Sequence, residues 1–257
     1  MTIRRVPVSV ETRAPTGATA AYVVGEQDGL LIDPAAWTDD LASATENADV
    51  AHLAVTHHHP DHVGGVKGAV DALDVTVWAR AGRATDFAAA TGVEPDETVS
   101  PGATIPAGDG VTAVDTPGHA PEHLAFGVGD ALVSGDLAVA EGSVVVGAPE
   151  GDMRAYLTSL RRVHARNPTR LYPGHGPVID DARAPCRRLV AHRLAREQNI
   201  ADAVAAGATT LDAILDSAYD KDISAVRDLA RATVVAHLEK LAVEGRVTWD
   251  GTTAQPR

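Results

Sequence analysis

Residues 54–65, "AVTHHHPDHVGG", set four histidines and an aspartate between an apolar run and two glycines. Neutral imidazole and carboxylate are the donors a divalent, zinc-like ion prefers, and His57, His59, Asp61 and His62 offer four of them in one short stretch. Side chains two positions apart project the same way only from extended backbone, so His57 and His59 share a side while His58 points away, a non-ligand. Pro60 biases His59 toward extended geometry and removes a backbone donor, which predicts that the segment resists becoming helix. Gly64 and Gly65 then give a tight entry into the next helix. The pattern differs from HExxH, where two histidines meet one turn apart on a helix. The bland alternative is a solvated polar loop. Three later fragments, each with its polar group at a predicted strand end, weigh against it: His119 in "DTPGHAPEH", Asp136 in "VSGD" and His175 in "YPGHG".

Those side chains need a framework to carry them, and apolar runs alternating with helical patterns supply one. Strands are expected at 19–25, 30–35, 51–57, 75–79, 111–119, 123–128, 131–136 and 169–175, with helices at 39–48, 63–73 and 152–167. The last of these begins with an Asp cap at Asp152 and repeats Met153, Tyr156, Leu157, Leu160 and Val163 at helical spacing. Strands mixed with helices indicate a layered α/β domain over 1–181. From 182 to 257 the texture changes to a long Arg-rich helix, two shorter helices and a terminal "RVTW", the layout of a winged helix-turn-helix.

Composition bounds the reading. A chain of 257 residues buries about 70% of its unfolded surface and needs no covalent staples. The single cysteine, Cys186, excludes an intramolecular disulfide and any all-thiolate metal site. No apolar run approaches membrane-span length and the first ten residues lack a signal-peptide core, so a soluble cytoplasmic protein without a membrane partner is expected. Formal net charge is −13, and only Lys67, Lys221 and Lys240 among the basic residues are lysines. This acid-rich, lysine-poor balance resembles halophilic proteins, and it shows no broad basic footprint for a polyanion.

Taken in order, "HHHPDH", "TPGH", "SGD" and "PGHG" resemble the metallo-β-lactamase superfamily over residues 3 to 181. The resemblance implies a four-layer αββα sandwich. It also implies two divalent metal ions, zinc first, with manganese or iron(II) as alternatives. His57, His59 and His119 would hold one ion and Asp61, His62 and His175 the other. Asp136 would bridge, and Asp61 and Asp136 would be the carboxylates engaged in catalysis. Asp33, in "LLIDPA", looks like the family's supporting aspartate. The tail, with "AHRLAREQNI" and its winged-helix pattern, resembles the β-lactamase-like protein 2 group, some of whose members are described as endoribonucleases acting on single strands. His123 matches a second histidine of that group, and His192 and Arg193 match its "HR" element, which implies substrate contact for all three.

The family implies a hydrolase of an ester-type bond, either the phosphodiester of single-stranded RNA or a small-molecule acyl thioester. Paired ions bring the pKa of a shared water near 7 and polarise the oxygen on which charge develops. A glyoxalase II-like thioesterase shares all seven ligands, and a mono-iron sulfur dioxygenase is a further alternative. An antibiotic-cleaving enzyme is disfavoured, since resembling members often place Cys where this chain has Asp136. A nuclease with a large inserted domain is disfavoured because only 38 residues separate Asp136 from His175. The non-enzymatic alternative is a metal-sensing regulator whose tail binds nucleic acid. Arg227, Arg231 and Lys240 give that thin support, offset by Asp228, Glu239 and Glu244, so a tail that packs is preferred.

Overall fold

The computed structural model describes residues 1–257, which divide into two compact units. The first comprises 1–116, 122–142 and 166–182; the second comprises 117–121, 143–165 and 183–257.

The first unit contains two sheets. One orders β1 (Ile3–Ser9), β2 (Ala18–Val24), β3 (Gly29–Ile32), β4 (Val50–Ala54), β5 (Thr76–Arg80) and β6 (Glu97–Val99) as they occur in the chain. Its first two pairings are antiparallel and the rest parallel. The other uses β7 (Thr104–Ile105), β8 (Val111–Asp115), β9 (Leu124–Val128), β10 (Ala131–Gly135) and β11 (Leu171–Pro173), with only the β10–β11 pairing parallel. Central strands bury both faces, so their apolar residues divide by period two. Ala21, Val23, Leu31 and Leu53 pack with Leu41, Val66 and Phe87 of the helices α1 (Asp39–Glu46), α3 (Val66–Ala72) and α4 (Ala84–Thr91). Tyr22, Val24, Leu30, Ile32 and Ala54 face Leu124, Phe126 and Val133 of the other sheet. Helices on a sheet on a second sheet result.

Local differences from the sequence reading have physical causes. β1 lacks a continuous apolar run, yet only Val6 and Val8 need burial on an edge strand, and Pro7 is tolerated there. Pro60 does not keep its segment from helix; it opens the short α2 (Pro60–Val63), with His59 extended before it at φ −64° and ψ 142°. Proline suits the first helical position because the missing N–H has no partner there anyway. Asp61 and His62 therefore leave a helical turn, while His57 and His59 come from extended chain. The helix expected over 63–73 is broken at Gly64 and Gly65 and resumes as α3.

The second unit is mostly helical: α5 (Met153–Arg166), α6 (Arg183–Ala205), α7 (Leu211–Ala218) and α8 (Arg227–Val243), then a hairpin of β12 (Val247–Trp249) and β13 (Ala254–Pro256). Asp152 caps α5, its Oδ1 accepting from the N–H groups of Arg154 and Ala155 at 2.8 and 3.0 Å. Ile200, Leu211, Ile214, Leu215, Val234, Leu238, Leu241 and Val247 form one core, the packing of a small winged helix. This unit also takes in residues before 182. The 143–152 loop and most of α5 group with the C-terminal helices, because Gly147 and Ala148 seat on Ala232 of α8 and Tyr156 lies under Arg193 of α6.

Candidate metal centre

Within the first unit, the loops after β3, β4, β10 and β11 carry Asp33, the His57–His62 segment, Asp136 and His175. Asp33 is fully buried and adopts φ 52°, a left-handed conformation that Asp tolerates better than most residues. Its Oδ1 accepts from Thr56 N at 2.6 Å, and its Oδ2 accepts from Thr56 Oγ1 at 2.7 Å and from His62 Nδ1 at 2.9 Å. An ionised carboxylate only accepts, so Thr56 spends its hydroxyl proton on Asp33. His57 Nδ1, 3.0 Å from Thr56 Oγ1, must then be a donor. One aspartate thus fixes two tautomers, His62 directly and His57 through Thr56, and both rings offer an Nε2 lone pair.

His175 reaches the same state by another route. Its Nδ1 donates to the carbonyl of Ala18 at 3.0 Å, and its loop is tied down where Ala20 N donates to Gly174 O at 2.8 Å. Gly174 permits this approach: a β-carbon there would lie 2.5 Å from Asp136 Oδ1 and 2.6 Å from His62 Cε1. Asp61 Oδ2 accepts from Thr12 Oγ1 at 2.5 Å. His57 Nε2 and His59 Nδ1 lie 3.0 Å apart. His58 stays out: its backbone N–H donates to Glu122 Oε1 at 2.9 Å and its ring meets Phe87 edge-on.

Two groupings of ligand atoms converge in this unit, His57 with His62 and Asp136, and Asp61 with His62 and His175. His62 Nε2 is 3.6 Å from Asp136 Oδ1; His175 Nε2 is 3.4 Å from Asp136 Oδ2 and 3.5 Å from Asp61 Oδ2. These separations exceed those of good N–H···O bonds. They match the edge of a coordination tetrahedron, since two donors each about 2.05 Å from a zinc-like ion lie roughly 3.4 Å apart. His62 Nε2 is fully buried and has no hydrogen-bond partner. Burial acts to lower the His62 pKa, but Asp136, Asp33 and Asp61 outweigh it and raise the value to about 9. The carboxylates build a potential that favours positive charge at a buried, partnerless nitrogen, so the residues present fit a cation.

His119 belongs to the second unit, where its Nδ1 donates to Val145 O at 2.6 Å and leaves Nε2 to offer a lone pair.

The three residues expected at the substrate stand differently. His123 is fully buried: Asp136 N donates to its Nε2 at 3.1 Å, so its Nδ1 carries the proton given to Thr116 Oγ1 at 2.8 Å. It orients the backbone that presents Asp136. Arg193 is only 4% exposed and faces protein. His192 is exposed on α6; lost hydration, then the charges of Arg193, Arg196, Lys221 and Arg188, lower its pKa to about 4 and keep it neutral. Thr56, Thr12 and Glu122 are functional neighbours that sequence reasoning missed. Only Thr56, directly ahead of the first histidine, offered a signal.

Comparison with known proteins identifies the chain's relatives. Residues 14–175 match the family described as the metallo-beta-lactamase superfamily, and residues 210–254 match the beta-lactamase associated winged helix domain. The beta-lactamase-like protein 2 homolog of Caenorhabditis elegans is 33% identical over 214 residues, 79% of this chain and 69% of that protein. Thioesterase pkgB of Emericella nidulans is 31% identical over 195 residues, 71% of this chain and 53% of its own length. The crystal structure of a metallo-beta-lactamase family protein from Thermus thermophilus covers 99% of this chain and 98% of that one, with TM-score 0.78 and 24% identity.

Proposed function

The chain belongs to the metallo-β-lactamase superfamily, and from that premise we propose that it is a dinuclear metal-dependent hydrolase of acyl thioesters. The observation that carries this reading is the buried, partnerless Nε2 of His62, set 3.6 Å from Asp136 Oδ1 in a pocket of carboxylates. His57, His59 and His119 would hold one ion and Asp61, His62 and His175 the other, with Asp136 serving both. Zinc is the first choice for this nitrogen-and-oxygen set, with manganese or iron(II) as alternatives. When bound, such a pair supplies Lewis acidity and lowers the pKa of water to near neutrality.

The chain's own residues set the conditions for that chemistry. Asp33 and Thr56 keep His57 and His62 in the ligating tautomer, as the Ala18 carbonyl does for His175. Thr12 holds one oxygen of Asp61 in place. Asp61 and Asp136 offset only two of the four positive charges of an ion pair, so the centre attracts an anionic or strongly polarised oxygen.

Thioester is preferred to RNA because the three cations of α8, the helix expected to read nucleic acid, are already paired. Arg227 meets Asp216 at 2.7 Å, Arg231 meets Asp212 at 2.6 Å, and Lys240 is buried against Glu197 at 2.8 Å. A polyanion would have to compete for each of them, against a net charge of −13. The relative named a thioesterase supports the same class. The winged helix is therefore read as a packing module and not as a reader of nucleic acid.

The test is a hydrolysis panel of acyl thioesters, single-stranded RNA and bis-phosphate esters, run with the metal-loaded protein at low salt and at the high salt suited to a halophilic surface. Chelator-sensitive thioester turnover is expected, restored by zinc. RNA cleavage without thioester turnover would move the reading to a nuclease. Bound iron with oxygen consumption would mark a dioxygenase.

A further inference from the structure

Arg193 is a buried cation with no acidic partner. On α6, with 4% of its surface exposed, it donates from Nη2 to the carbonyl of Val144 and lies 6.0 Å from the centre of the Tyr156 ring; its Nε has no partner. A guanidinium held this way is costly, and an apolar side chain of similar volume often fills such a space with equal or better stability. The charge needs a reason beyond packing, and the next peptide unit supplies one. Val145 O, one residue beyond the carbonyl Arg193 holds, accepts the Nδ1 proton of His119 at 2.6 Å.

We propose that Arg193 is a positioning residue for His119, acting through the successive carbonyls of Val144 and Val145. This inference rests on the reading of His119 as a metal ligand. The surrounding contacts form a closed circuit within the second unit. Ala148 N donates to Ala232 O at 3.1 Å, and a β-carbon on Gly147 would come 2.8 Å from Ala232 Cβ, so α8 fixes the far end of the 144–148 loop. The histidine's own loop is held from the other side, where Ser159 Oγ donates to Pro117 O at 2.8 Å and Asp152 N donates to Gly118 O at 2.9 Å. Gly118 has φ +131°, and any β-carbon there would overlap the backbone of Tyr156, the residue over which Arg193 lies. Tyr156 thus touches both ends of the relay. Partners that orient a ligating histidine through its second nitrogen set its tautomer and basicity. The winged-helix tail would in this way orient His119 within the second unit without lending a ligand of its own.

The test compares wild type, Arg193→Met and Arg193→Lys for zinc retained against a competing chelator, with the cobalt-substituted absorption spectrum as a second readout. Wild type should retain two zinc equivalents. Arg193→Met should hold one of them about tenfold more weakly and shift the cobalt spectrum, with Arg193→Lys in between. A folded Arg193→Met that keeps both zinc ions at wild-type affinity, with an unchanged spectrum, overturns the inference and leaves the dinuclear reading intact. A wild type that binds no metal overturns the dinuclear reading and the inference with it. Should the variants fail to fold, the nitrogen-15 spectrum of metal-free wild type decides. A proton on His119 Nδ1 supports the relay, and a proton on Nε2 refutes it.

Discussion

Around His62 and around Glu197 the chain buries the same kinds of groups, imidazole and carboxylate, and balances their charge in opposite ways. At His62, Asp33, Asp61 and Asp136 surround the ring, no lysine or arginine pairs with it, and its Nε2 is left without a partner. At Glu197 the carboxylate accepts from Lys240 Nζ at 2.8 Å, with His237 Nδ1 and Arg246 Nη1 each at 3.4 Å. Each cluster buries an imidazole nitrogen without a partner, His62 Nε2 in the first and His237 Nε2 in the second. The first has surplus negative potential around that nitrogen, whereas in the second the carboxylate is matched by Lys240 and Arg246. Residue type alone does not distinguish a metal site from a structural clamp; the sign of the local balance does.

That contrast can be broken most severely at Asp136. Asp136→Ala should lower turnover by more than the roughly 100-fold typical of losing a residue that only supports a ligand, with a native circular-dichroism spectrum. Full metal content and activity in that variant would remove Asp136 from both ions. The counterpart is Glu197→Ala, which leaves the buried Lys240 only the partly exposed Glu244 and should lower unfolding stability by about 2 kcal/mol in urea titrations, without loss of metal. A matching loss of zinc would mean that the two clusters are not separable. Asp33→Asn sharpens the first cluster. Asn tolerates the same backbone but cannot accept on every side, so metal affinity should fall about 10- to 100-fold in chelator competition.

Acid should loosen the second cluster by a route that follows from its signs. Burial, foremost, lowers the pKa of His237 below the ordinary 6.5. The unfolded chain then takes up the proton first, and stability falls as pH drops through 6.5. For Glu197 burial pulls upward, but hydrogen bonds and attraction from His237 and Lys240 win and bring it below the ordinary 4.5. Its contribution is complete above 4.5 and is lost as pH falls further, so the two groups act in one direction. The melting midpoint of the C-terminal unit should decline on acidification below 6.5; a midpoint that rises there would contradict this balance. The smallest effect is expected at the exposed pairs. Arg227→Gln with Arg231→Gln should leave turnover and melting midpoint unchanged, and a loss of either would give those surface cations a function denied to them here.

Much of this is legible in the amino-acid sequence because its signals are local. Extended spacing places His57 and His59 on one side and excludes His58, and apolar runs place Asp136 and His175 at strand ends. What stays hidden depends on contacts across the chain. Asp33 and His62 are 29 residues apart, and no spacing announces that one carboxylate sets two tautomers. Thr12 reaches Asp61 from a loop with no pattern of its own. Polar residues near a site suggest contact with substrate, and their spacing gives no sign that tertiary packing buries His123 and Arg193. Proline breaks helices in their interior, yet at the first position Pro60 opens one.

The most direct measurement is the metal content of the purified, untagged protein by mass spectrometry, taken beside that of His62→Ala. Close to two equivalents of a divalent metal per wild-type chain are expected, with the variant losing at least one. A wild type that carries none after reconstitution, or a variant that keeps both, would contradict the claim that this pocket of carboxylates and directed lone pairs exists to hold a pair of ions.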